Sequence, residues 1–151
     1  MNQYAIEQVL PHDAPMILLS ELISYHDEGA TAQVNIDTYS PFYDHHNAGV
    51  PSYIGTEYMA QAIAAYAGAL ALDEGRPVHI GFLLGTRKYQ TQQGYFSQGS
   101  QLHVTVHKLL EDESGLSVFE CSISCGEKTL ATAKINVFQP HDPEQFLKEQ
   151  Q

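Results

Sequence analysis

Between Leu116 and Cys125 the side chains Phe119, Cys121 and Ile123 recur at every second position, and between Thr129 and Phe138 so do Ala131, Ala133, Ile135 and Val137. A period of two marks a strand with one buried face. Ala30 to Ile36 repeats the pattern, with Ala30, Ala32, Val34 and Ile36 inward against Thr31, Gln33 and Asn35 outward. Met16 to His26, Ile80 to Gln90 and Leu102 to Leu110 read as further strands from their apolar content. Asp27-Glu28-Gly29 is expected to join the first two as a hairpin. Turns are expected at Gly94 to Gly99, Asp112 to Gly115 and Gly126-Glu127. A brief helix over Tyr4 to Val9 should stop at Leu10-Pro11, since the residue before a proline is pushed out of the helical region.

One segment breaks the strand pattern. Tyr53 to Leu72 is rich in alanine, holds no proline, and ends at Gly75 with Pro77 beyond it, which gives a helix body and a helix stop. Its length would suit a bilayer, but Glu57 and Gln61 interrupt it and alanines contribute little transfer free energy. A helix apolar on nearly every side is instead wrapped by protein. The order is two strands, a polar aromatic loop from Tyr39 to Pro51, the helix, then four strands. It predicts an α+β fold, an antiparallel sheet of about six strands curled around one long helix at about residues 53–72.

With 151 residues and 43% hydrophobic content the chain can bury a core of its own, so we expect one domain over 1–151, its core at about 10–138 and a polar tail over 140–151. The net charge is −11, and the first 75 residues hold ten carboxylates and no Lys or Arg. That balance excludes nucleic acid and anionic membrane surfaces as partners, because both require a basic face. Cys121 and Cys125 would sit on one strand face too far apart for an easy disulfide, which suits a reduced, cytoplasmic setting. No export leader is read at the N-terminus.

Glu57 is the sole charge between Tyr53 and Leu72. A carboxyl group held against apolar surface without a cation keeps its proton to higher pH, which suits a general acid; equally, a first-turn glutamate is favoured by the helix dipole and solvent alone. Gln61, one turn on, is in reach to orient it. Asp44-His45-His46-Asn47 lies in the loop ahead of the helix, where a histidine could serve as base, although adjacent loop histidines are commonly just solvated. Gly55 at the helix start offers a backbone N–H as an oxyanion donor, or simply relieves crowding. Ser52 reads as a helix N-cap. His12, Asp13, Tyr43, Tyr53 and Tyr58 are candidates to line a pocket. His103 and His107 share a strand face without a third ligand, so no metal site is expected.

Five motifs then carry a resemblance: Leu10-Pro11-His12-Asp13-Ala14-Pro15, Pro41-Phe42-Tyr43 leading to His46, Glu57-Tyr58-Met59-Ala60-Gln61, Gly81-Phe82-Leu83-Leu84-Gly85 and Gly99-Ser100-Gln101-Leu102. In this order they resemble the bacterial 3-hydroxyacyl-ACP dehydratases of the hotdog fold. Pro51 to Gly68, Gly81 to Tyr89 and Asn136-Val137-Phe138-Gln139-Pro140 are similar to the dehydratase-like subunits of aryl polyene and related polyketide-type pathways. The resemblance implies a dimer, identical or mixed with another hotdog subunit, and removal of water from (3R)-3-hydroxyacyl thioesters on acyl carrier protein without metal or other cofactor. It implies His46 and Glu57 as the acid-base pair, with Gln61, Gly55 and His45 in support. The chain departs from the family between His46 and Glu57, where Asn47-Ala48-Gly49-Val50-Pro51 replaces an expected Phe-Pro and Pro-Gly in a shorter loop. That departure leaves open a catalytically silent subunit beside an active dehydratase; a hotdog acyl thioesterase is a third possibility. Since carrier proteins of this kind are acidic, the carrier is expected at the scarce basic residues Arg76, Arg87 and Lys88, the last two beside Gly85, or on a more basic partner subunit.

Overall fold

The computed structural model describes residues 4–12, 16–78 and 82–138, with only the backbone over 82–84. Asp13, Gly81 and the tail beyond residue 138 lie outside the described residues. Eight strands and two α-helices follow in the order α1 (Ile6–Val9), β1 (Glu21–His26), β2 (Gly29–Asn35), β3 (Gly49–Pro51), a 3-10 turn (Ser52–Ile54), α2 (Gly55–Asp73), β4 (Phe82–Thr91), β5 (Tyr95–Ser97), β6 (Gln101–Glu111), β7 (Leu116–Cys125) and β8 (Lys128–Phe138).

Six strands form one antiparallel sheet in the order β1-β2-β6-β7-β8-β4, which leaves β1 and β4 at its edges. The inward positions of the alternating strands supply one wall of the core, from Ala32 and Val34 on β2 through Val104, Val106, Cys121 and Ile123 to Ala133 and Ile135 on β8, all 4% exposed or less. Against them lies α2, which buries Tyr58, Met59, Ala62, Ile63, Ala65, Tyr66 and Ala69. Small residues let it come close. At Gly68 a β-carbon would collide with the Val9 carbonyl, so this glycine is what allows α1 to lie on α2.

The hairpin at Asp27-Glu28 and the strand over Leu116–Cys125 are as expected. Four details differ. The extended run from Met16 first bonds β2 at Ser20, whose N–H donates to the Gln33 carbonyl at 2.7 Å, and enters β1 at Glu21; before that the Leu18 N–H and the Met16 carbonyl are taken by the side chain of Gln61 instead of by a neighbouring strand. The loop ending at Pro51 and the turn at Gly94 to Gly99 contain a two-stranded ladder, β3 with β5, of three residues each, too short to show a period. Strand β4 is interrupted by two bulges, one between Leu83 and Gly85 and one between Arg87 and Gln90. The helix begins with a 3-10 turn and its N-cap is Ile54; Ser52 makes no side-chain cap, so its expected capping role is corrected. No helix among the described residues is long and apolar enough to cross a membrane.

Candidate active site

Glu57 is the third residue of α2 and its carboxylate is exposed in the single chain. What lies beneath it is not. Gln61 is 1% exposed and uses its whole amide: its oxygen accepts the Leu18 N–H at 2.9 Å, and its nitrogen donates to the Met16 carbonyl at 2.8 Å and to Glu57 Oε1 at 3.2 Å. The two backbone contacts fix which end of the amide is which, since a flipped amide would set N–H against N–H and carbonyl against oxygen. Gln61 therefore always offers a hydrogen to Glu57.

Ahead of Glu57, the Ser52 carbonyl accepts the Gly55 N–H and also the hydroxyl of Tyr89 from β4. The Gly55 N–H is thus committed within its own turn. The lack of a side chain at Gly55 has a steric cause, because a β-carbon would run into the Tyr89 hydroxyl and stand 3.0 Å from Ile123 Cδ1 and 3.2 Å from Phe96 Cζ. Burial pushes the Tyr89 phenol up to about 12, and burial first, then the charge Tyr89 would carry, raises that of Tyr58. Tyr58 is 2% exposed and packs on Phe96 at 5.9 Å, a core residue, whereas Tyr53 is 72% exposed.

The histidine loop is organised by Asp44. Its Oδ1 accepts the His46 N–H at 2.8 Å and the Asn47 N–H at 3.2 Å, and its Oδ2 accepts from the Asn47 amide at 2.9 Å. The same Asn47 amide donates to the Tyr95 hydroxyl at 3.0 Å, which ties the loop to β5. These bonds, the Asn47 side-chain amide foremost, hold the Asp44 carboxyl below its usual range. The loop backbone is fixed while the imidazoles of His45 and His46 are exposed; His45 stands edge-on to Tyr43 with ring centroids 4.9 Å apart. Among the described residues no hydrogen bond joins either imidazole to Glu57. His12 Nδ1 is buried and has no hydrogen-bond partner among the described residues. No group of three or more metal-binding side chains gathers among the described residues.

Of the basic residues, Arg76 pairs with Glu74. Arg87 and Lys88 are exposed on β4, and the strand register sets Arg87 opposite Lys134 on β8, a third cation that sequence order alone did not bring near. At Gly85 a β-carbon would meet nothing within 4 Å. On its other side Lys134 faces Glu120 of β7, so the two cations and this carboxylate form one row across β4, β8 and β7. Lys134 was reachable from the two strands once their register was known. Tyr89 carried no signal, because a bulge decides which way it faces.

The sequence profile of the ApeP dehydratases matches residues 4–148. The chain belongs to this family. In keeping with that, it is 32% identical to a chain of the dehydratase heterocomplex ApeI:P from Xenorhabdus doucetiae, with a TM-score of 0.89 over 99% of this chain and 100% of that one. It is 31% identical to the 3-hydroxyacyl-[acyl-carrier-protein] dehydratase FabZ of Pseudothermotoga lettingae over 78 residues, 52% of this chain and 55% of that protein. The match thus spans about half of the curated relative. The PaaI protein of the E. coli phenylacetic acid degradation operon aligns at 13% identity and a TM-score of 0.60 over 78% of this chain and 81% of that one, a likeness of fold alone. The ApeP-like chain has the hotdog fold, its six-stranded sheet packed on α2.

Proposed function

We propose that this ApeP-like chain, acting as a single hotdog domain in the cytoplasm, removes water from (3R)-3-hydroxyacyl thioesters on acyl carrier protein in fatty-acid- or aryl-polyene-type biosynthesis. The observation that carries the proposal is the fully bonded, buried Gln61 amide aimed at a carboxylate on the surface. Burying an amide is costly unless it is satisfied, and here its third bond does nothing for the core; it orients Glu57. The elimination needs a base for the proton beside the thioester carbonyl and an acid to send the hydroxyl away as water. His46 and Glu57 supply these two roles, with His45 and Gln61 in support.

A second reading has its own observation. Both imidazoles are exposed and unjoined to Glu57, and the similar chain from Xenorhabdus doucetiae comes from a heterocomplex. On that reading the chain is a partner subunit whose own catalysis is silent, and a second hotdog dehydratase completes the site. The test is a dehydration assay with 3-hydroxyacyl-ACP, using this protein alone and mixed with a candidate partner subunit, followed by mass spectrometry of the carrier. Turnover alone supports the enzyme; turnover only in the mixture supports the subunit; free thiol without dehydration refutes both. The carrier is received at Arg87, Lys88 and Lys134 beside Gly85. Charge reversal at Arg87 and Lys134 should lower carrier-dependent turnover about tenfold or more while leaving a small thioester analogue within about twofold, and equal losses would remove the docking site. Arg76, paired with Glu74, contributes less.

A further inference from the structure

Strand β4 sets Arg87 opposite Lys134 and Gln90 opposite Thr132, so Lys88 and Tyr89 together face the single residue Ala133. In an unbroken strand residues two apart share a face, and Tyr89 would follow Arg87 outward. The extra residue reverses that parity and turns Tyr89 into the interior. The reversal is held against a backbone preference: Lys88 has φ 55, in the left-handed region that side chains other than glycine rarely adopt. A strained bulge of this kind asks what its inward residue does.

The Tyr89 hydroxyl reaches the carbonyl of Ser52, the group that also accepts the Gly55 N–H and so closes the turn from which α2 starts. Its place is kept open by the missing side chain of Gly55. The Ser52 N–H is in turn held by the Gly94 carbonyl at 2.8 Å. The bulge of β4 and the turn that holds both Gly55 and the Ser52 carbonyl thus meet at one hydroxyl, two residues before Glu57. With its ionisation pushed up to about 12 by burial, the phenol remains a donor throughout the neutral range.

We infer that Tyr89 is a positioning residue for Glu57: its hydroxyl locks the first turn of α2 from the sheet side, while Gln61 holds the carboxylate from the helix side. This rests on the reading of Glu57 as a reacting group. A displacement near one ångström at such a group already costs heavily in rate, so a turn held at a single pitch matters more than the one hydrogen bond suggests.

The test is Tyr89→Phe in the full chain, with two readouts. Amide exchange at Gly55, whose N–H shares the Ser52 carbonyl with Tyr89, should quicken roughly tenfold, the loss of one hydrogen bond, with the sheet unaffected. In whichever combination of subunits turns over, kcat should fall roughly tenfold or more with KM within about twofold. Faster exchange with unchanged kcat makes Tyr89 merely structural, and unchanged exchange with lowered kcat makes it a direct contact; either overturns the inference. Gly55→Ala gives an independent arm. It should slow turnover strongly in the native background and much less together with Tyr89→Phe, because the hydroxyl it displaces is gone; additive losses count against the lock. If no combination of subunits dehydrates any thioester, the dehydratase reading fails, and the exchange readout still decides whether Tyr89 holds the turn.

Discussion

The two halves of the candidate acid-base pair are built on opposite plans. Around Glu57 the reacting group is exposed and its supports are buried: Gln61 with its three bonds below, the Ser52 carbonyl with its two donors above. Around His46 the support is a surface carboxylate, Asp44, which fixes the backbone and leaves the imidazole unattached. The helix side spends core structure on the orientation of one side chain. The loop side fixes only where its side chains begin. An arrangement finished on one side and open on the other suits the proposed reading in which a second subunit completes the site.

The comparison breaks most readily at the reacting groups themselves. Glu57→Gln should lower kcat by about 10²- to 10⁴-fold, the ordinary contribution of a positioned acid or base, with little change in Tm because the side chain is exposed. His46→Ala, assayed in the protein alone, should show a loss of the same order. Full activity after His46→Ala with loss after Glu57→Gln would assign the loop half to the partner. At the supports the expected asymmetry lies in stability. Gln61→Leu strands the buried Leu18 N–H at about 1–3 kcal/mol, whereas Asn47→Ala on the loop should cost about 0.5 kcal/mol or less. Comparable shifts in denaturant midpoint would erase the distinction between the two plans.

The smallest effect is one of pH. The folded Asp44 carboxyl lies below its ordinary 3.8, so its hold on the loop is fully present above that value and lost as pH falls through the lower, folded one. The amides of His46 and Asn47 should stay protected across the neutral range and exchange freely only in acid. The Gln61 contacts, made by an uncharged amide, should persist through the same titration. Loss of the loop amides near neutrality would show that Asp44 is not what holds them.

The helix, the six long strands and the order of the chemistry-bearing motifs were legible because each rests on a pattern many residues long. Ala131, Ala133 and Ile135 on β8 announce their face by repetition. Gln61 was legible too, one turn from Glu57 on the same helix. What escaped is what single residues decide against the pattern. Nothing local says that the Gln61 amide will also stand in for a strand partner of Met16 and Leu18, so the first strand is shorter than the apolar run that announces it. Nothing local marks Lys88 for a left-handed φ, so the sequence pattern leaves the face of Tyr89 open. The ladder of β3 and β5 brings together residues over forty positions apart through three pairs, Gly49 with Ser97, Val50 with Phe96 and Pro51 with Tyr95. Without that ladder the loop and Tyr95 have no visible relation.

The bulges of β4 bear on more than the residue they turn inward. This strand is a free edge of the six-stranded sheet, with ten residues of backbone on offer to any extended chain. A long straight edge invites indiscriminate pairing and aggregation. The two irregularities, between Leu83 and Gly85 and between Arg87 and Gln90, leave only Gly85 to Arg87 as an uninterrupted ladder between them. An incoming strand finds few registers in which its hydrogen bonds fit, and Arg87 and Lys88 stand at the end of that short run. An edge broken in this way resists pairing through backbone hydrogen bonds alone, which is the protection a bulged edge strand gives its sheet.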